Sequence, residues 1–135
     1  MKKAKTDTER LVQAARKVCK LAYAPYSKFK VGAALLTESG NIYTGCNVEN
    51  ASYSLTICAE RVAIAKAVSE GETKFISLAI VANGCESVPP CGACRQVMSE
   101  FSRGLKVLII SKHGKILQKS LQGLLPEQFG ENHLK

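Results

Sequence analysis

The chain has 135 residues, a length that suits one domain, and 46% of them are hydrophobic, enough for a buried core. No apolar run reaches the roughly 18 residues of a membrane span, and Met1-Lys2-Lys3 is followed by no apolar segment of the signal-peptide kind, so a cytoplasmic protein is expected. The formal net charge of +8 invites a nucleic-acid partner, but the lysines are scattered and no aromatic residues interleave them; a dedicated nucleic-acid surface is not expected.

The first helix is predicted over Thr6–Ala22. Thr6 and Glu9 have capping-box spacing, and Leu11, Ala14, Ala15, Val18, Leu21 and Ala22 share one face. Pro25 disfavours helical geometry in the residue before it and ends the segment. Val31–Thr37 and Ile42–Val48 read as strands of a hairpin joined by Glu38-Ser39-Gly40-Asn41. A polar loop then leads to a second helix, Cys58–Ser69, stopped by Gly71.

Phe75–Ala82 is an apolar strand, and a loop through Val88-Pro89-Pro90 enters a third helix over Gly92–Ser102. Strands follow at Val107–Ile110 and Lys115–Gln118, with Gly114 permitting the turn between them, and Leu121–Leu125 reads as a helical turn. The order α-β-β-α-β-α-β-β favours an α/β fold, a mixed sheet with helices on its faces. All of 1–135 is read as one domain.

Chemistry concentrates in two segments, Cys58-Ala59-Glu60 and Pro90-Cys91-Gly92-Ala93-Cys94, each at a predicted loop-to-helix junction. Cys91 and Cys94 are three apart, so one helical turn brings both sulfurs to one face. If the two helix starts meet, three thiolates surround one zinc ion, favoured by the helix dipoles. Zinc takes four ligands; three from protein leave one position for water, whose pKa zinc lowers to about 7. Glu60, two residues from Cys58, is placed to move protons rather than to ligate. Three thiolates on one dication leave a negative centre, which Arg61 or Arg95 can offset.

The competing reading is a closed structural zinc module, which needs a fourth protein ligand. Cys85 is the main rival for that place; Cys46, Cys19, His113 and His133 sit in less suggestive contexts, and Cys19 reads as a small packing residue.

These residues resemble the cytidine deaminase family in its short-chain, homotetrameric form. The resemblance runs from about Ala22 to Phe129. It is carried by Tyr23-Ala24-Pro25-Tyr26-Ser27-Lys28-Phe29, Gly45-Cys46-Asn47-Val48-Glu49-Asn50, Cys58-Ala59-Glu60-Arg61 and Pro90-Cys91-Gly92-Ala93-Cys94-Arg95-Gln96-Val97.

The resemblance implies a three-layer α/β/α fold with a five-stranded sheet, Zn2+ held by Cys58, Cys91 and Cys94, and Glu60 as the proton shuttle. Arg61 is implied to hydrogen-bond the ligating thiolates, Asn47 and Glu49 to grip the ribose 3′-hydroxyl, and the Ala59 backbone to meet the pyrimidine edge. Phe29 is implied to pack on the nucleoside, with Phe129 and Tyr53 reaching a neighbouring subunit's pocket. Pro89 departs from the family pattern, where Ser or Thr is common.

The expected reaction is hydrolytic deamination of cytidine and deoxycytidine, a step of pyrimidine salvage. The alternatives are a deaminase of a nucleoside antibiotic of the blasticidin type or of a nucleic-acid base, and a non-catalytic zinc module.

Overall fold

The structure is a computed structural model describing residues 4–84 and 87–135. Thr6 caps α1 (Asp7–Cys19) by accepting from the Glu9 N–H at 3.1 Å, with Asp7 and Glu9 in the first turn and Arg16 and Lys17 in the last, as the helix dipole favours. Leu11, Ala15 and Cys19, four apart, form its buried stripe. The helix ends at Cys19, not Ala22 as expected. Beyond it the backbone turns, and Tyr23 forms a bridge to Val48.

The strands are β1 (Val31–Thr37), β2 (Ile42–Cys46), β3 (Phe75–Ala82), β4 (Lys106–Ile110) and β5 (Ile116–Ser120). They form one mixed sheet in the order β2-β1-β3-β4-β5, with β3 and β4 parallel and the other neighbours antiparallel. All seven residues of β1 are buried because helices cover both faces. Ala34 and Leu36 face α1, whereas Val31, Ala33 and Leu35 face a second core containing α2 (Ala59–Ser69) and α3 (Gly92–Phe101). The result is the expected three-layer α/β/α arrangement.

Two glycines in the sheet let the helices approach. A Cβ on Gly32 would lie 2.2 Å from the Ala15 carbonyl oxygen, and one on Gly45 would lie 2.4 Å from that of Ala59. Gly45 therefore lets the start of α2 rest directly on β2.

Strand β2 ends at Cys46, two residues before the expected boundary. Asn47 and Glu49 lie past it, and Val48 joins only isolated bridges. The third helix stops at Phe101 with Ser102 as its C-cap. The expected turn near the C-terminus is the short α4 (Leu121–Leu124), while single 3-10 turns at Tyr53–Leu55 and Glu131–Leu134 had no clear periodic signal. No helix of the described residues is long and apolar enough to cross a membrane.

Candidate active site

Cysteines occupy the N-caps of two helices: Cys58 caps α2 and Cys91 caps α3, neither through a side-chain hydrogen bond. Ser, Thr, Asp or Asn would ordinarily stand there. Leaving the sulfurs free of capping turns them toward one another, at the positive ends of two helices. Cys94, in the first turn of α3, completes the group. Cys58 Sγ and Cys91 Sγ are 3.9 Å apart, and all three sulfurs lie within 4.8 Å of one another.

A zinc–sulfur bond of about 2.3 Å implies a tetrahedral S···S edge of about 3.8 Å, so the cluster is within about an ångström of a zinc-sized cage. All-thiolate donors also suit zinc over hard cations. Among the described residues no fourth His, Cys, Asp or Glu joins the group. Cys85, the expected rival ligand, lies outside the described residues.

The Cys94 thiol, hydrogen-bonding to Cys58, and the Arg61 guanidinium beside it hold Cys58 down to about 5, while the same Cys58 contact and burial push Cys94 up. Arg61 reaches Cys58 Sγ at 3.6 Å from the next turn of α2. Arg95 is engaged elsewhere: it donates to the Pro90 carbonyl at 2.8 Å and the Leu124 carbonyl at 2.7 Å, tying the Cys91 loop to the C-terminal segment.

Glu60 is 5% exposed. Burial first, and then the Cys58 charge, push its carboxyl above the ordinary carboxylate range. It lines a cavity of about 260 Å³ together with Phe29, Asn47, Glu49, Ala59 and Cys91.

The other wall is a loop that Asn47 and Glu49 hold in place. Asn47 accepts from the Val31 N–H and donates to the Phe29 carbonyl, both at 2.8 Å. Glu49 accepts from the N–H groups of Tyr26 at 2.9 Å and Ser27 at 3.1 Å, and from the Ser27 hydroxyl. Those bonds, the Ser27 hydroxyl first, hold Glu49 below the ordinary carboxylate range. Lys28 between them takes a positive φ of 62°, turning the chain so that Phe29 enters the cavity wall.

Tyr53 and Phe129 lie outside this cavity, 75% and 56% exposed. Tyr53 lies near Tyr26, with ring centroids 6.2 Å apart, and Phe129 stacks on His133. Pro89, the departure from the family pattern, lines the cavity beside Val88. Thr56 and Ser27 also line it and were not singled out from sequence. Ser27 had a signal, its place in the Tyr23–Phe29 stretch; Thr56 had none.

Residues 5–111 match the model of the cytidine and deoxycytidylate deaminase zinc-binding region. The chain belongs to the cytidine and deoxycytidylate deaminase family. Within that family it is 50% identical over 129 residues to a cytidine deaminase from Sporosarcina psychrophila, covering 95% of each chain. It is 47% identical over 124 residues to one from Halalkalibacterium halodurans, covering 91% of this chain and 94% of that one. A crystal structure of the cytidine deaminase from Burkholderia pseudomallei superposes with a TM-score of 0.87 at 44% identity, over 93% of this chain and all of that one. The three-cysteine cluster, which could hold a metal ion, lies within the stretch that matches the zinc-binding region.

Proposed function

We infer that the chain catalyses hydrolytic deamination of cytidine and deoxycytidine: water adds, ammonia leaves, and uridine or deoxyuridine remains. The observation that carries this is the three-sulfur cluster at two helix starts with the buried Glu60 carboxyl beside it. Zinc held there by Cys58, Cys91 and Cys94 supplies Lewis acidity that makes a nucleophile of water at neutral pH.

The remaining work falls to side chains of this chain. Glu60 takes one proton from the attacking water and delivers it to N3 of the pyrimidine, then takes the remaining hydroxyl proton at C4 and delivers it to the amine, so that the C4–N bond breaks, ammonia leaves and the uridine carbonyl forms. Its raised proton affinity suits an acid that must also act as a base. Arg61 offsets the excess negative charge of three thiolates, supported by its contact with Cys58. Phe29 packs on the nucleoside, the Ala59 backbone meets the polar pyrimidine edge, and Asn47 and Glu49 present remaining hydrogen-bonding capacity to the ribose 3′-hydroxyl.

The enzyme acts in the cytoplasm as one domain and as a homotetramer. A cavity of about 260 Å³ is small beside the roughly 300–1,000 Å³ usual for ligand sites, so one protomer encloses a nucleoside incompletely. Tyr53 and Phe129 are among the large exposed side chains, and we assign them to closing a neighbouring copy's cavity.

The test is loss of cytidine absorbance on the same sample whose zinc is quantified. Turnover of cytidine and deoxycytidine with about one zinc per chain is expected. Zinc without turnover would indicate a structural module, and turnover of a cytosine oligonucleotide but not of cytidine would overturn the substrate.

A further inference from the structure

A second cleft, of about 510 Å³, opens on the α1 face of the sheet, at the carboxyl ends of the parallel strands β3 and β4. Open α/β sheets favour ligand sites at such strand ends. It shares no lining residue with the catalytic cavity. Arg16 and Lys20 reach it from the end of α1, Lys30 from the segment entering β1, and Lys112 from the turn after β4, while Val81 contributes an apolar floor. Among the described residues no acidic residue lines it.

The convergence is not explained by the fold alone. The C-terminal end of α1 favours cations on its own last turn, which accounts for Arg16 and Lys20. It does not account for Lys30 and Lys112, which two other elements bring to the same space. Among the described residues none of the four has a carboxylate within 4.0 Å; the ion pair present joins Arg10 and Asp7.

The Lys30 ammonium donates to the Lys20 carbonyl at 3.5 Å, and the Lys30 backbone is fixed in place. Its N–H donates to Asn83 Oδ1 at 2.7 Å, and the Asn83 N–H returns a bond to the Lys30 carbonyl at 2.9 Å. Four like charges held round one concavity repel one another, and a multiply charged anion relieves that repulsion.

We propose that this cleft binds a nucleoside polyphosphate, with the phosphates against Arg16, Lys20, Lys30 and Lys112 and the base against the Val81 floor. Arginine and lysine together suit phosphate oxygens. The volume exceeds what a lone phosphate fills and lies in the range of small-molecule sites.

The probe is ATP with excess Mg2+, whose purine does not suit the pyrimidine site, titrated calorimetrically into the zinc-loaded full chain. Saturable binding of about one ATP per chain with Kd below about 1 mM is expected. The double variant Arg16→Gln/Lys112→Gln is expected to weaken it about tenfold or more. Lys106→Gln/Lys119→Gln, which removes the same charge elsewhere, is expected to bind ATP as the parent does. Unchanged cytidine turnover without ATP in both double variants reports intact folds.

Absence of saturable binding, or equal weakening in both double variants, would overturn the site. Tripolyphosphate binding as tightly as ATP would overturn the nucleoside assignment. An oligonucleotide that displaces ATP and binds more tightly would make the surface a polynucleotide track instead.

Discussion

Gly45 on β2 meets the Ala59 carbonyl so closely that a Cβ at Gly45 would lie 2.4 Å from that oxygen and 2.5 Å from the Ala63 nitrogen. Both contacts are to backbone, so no side-chain rotation relieves them. Gly45→Ala must push the first turn of α2 off the sheet, and that turn carries Cys58 and Glu60. Overpacking of this kind costs about 1–3 kcal/mol. The expected outcome is a lowered Tm with a disproportionate fall in zinc content and kcat. Gly123→Ala, where nothing lies within 4 Å of an added Cβ, is expected to leave all three unchanged.

Glu60 is buried beside the cysteines without being one of the sulfur cluster. Glu60→Gln keeps its shape and polarity but cannot exchange protons. Stoichiometric zinc and a wild-type fold are expected, with kcat reduced by about 10²-fold to 10⁴-fold or more. Metal analysis and steady-state kinetics on one preparation check this; near-wild-type kcat would remove Glu60 from the proton path.

Asn47 joins two backbone groups that have no other role in the sheet, the Val31 N–H and the Phe29 carbonyl. Asn47→Asp keeps an acceptor for Val31 but sets a second oxygen against the Phe29 carbonyl. Leaving a buried polar group without its partner costs about 1–3 kcal/mol. Denaturant unfolding is expected to show that loss, and KM for cytidine is expected to rise because the Phe29 wall is released. A variant with parent stability would mean that the loop is held by Glu49 alone.

The elements carrying strong periodicity were legible from sequence: β1 and β3 fall at their expected boundaries, and Thr6 caps α1. The two helix starts that gather the sulfurs were legible too, because Cys58-Ala59-Glu60 and Pro90-Cys91-Gly92-Ala93-Cys94 each stand at a loop-to-helix junction. What the spacing could not show was how Asn47 and Glu49 use their side chains. Read as strand neighbours they point to one face, whereas β2 ends at Cys46 and both turn back to hold the Tyr26–Val31 backbone. Spacing alone left Arg61 and Arg95 equivalent and the family resemblance pointed to Arg61; in the fold Arg61 meets a thiolate and Arg95 meets carbonyls. The convergence of Arg16, Lys20, Lys30 and Lys112 was likewise hidden, since a scattered charge pattern says nothing about which ends of which elements meet.

Glu72 shows how a surface carboxylate can shape the acid limb of stability. It accepts from the Ser39 hydroxyl, from Tyr43 at 2.6 Å and from the Asn41 amide at 2.9 Å, joining the β1–β2 turn to the segment entering β3. Those bonds, Ser39 first, hold its carboxyl down to about 2. A carboxyl whose folded pKa lies below its unfolded value of about 4.5 binds fewer protons folded than unfolded, so it stabilises the fold at neutral pH. That contribution is complete above about pH 4.5 and disappears as pH falls toward about 2. Glu72→Gln is therefore expected to lower the stability measured by denaturant at pH 7, and the gap from the parent is expected to narrow on acidification through that window. A gap independent of pH would mean that the Gln variant loses packing in the turn rather than the charge-assisted bonds.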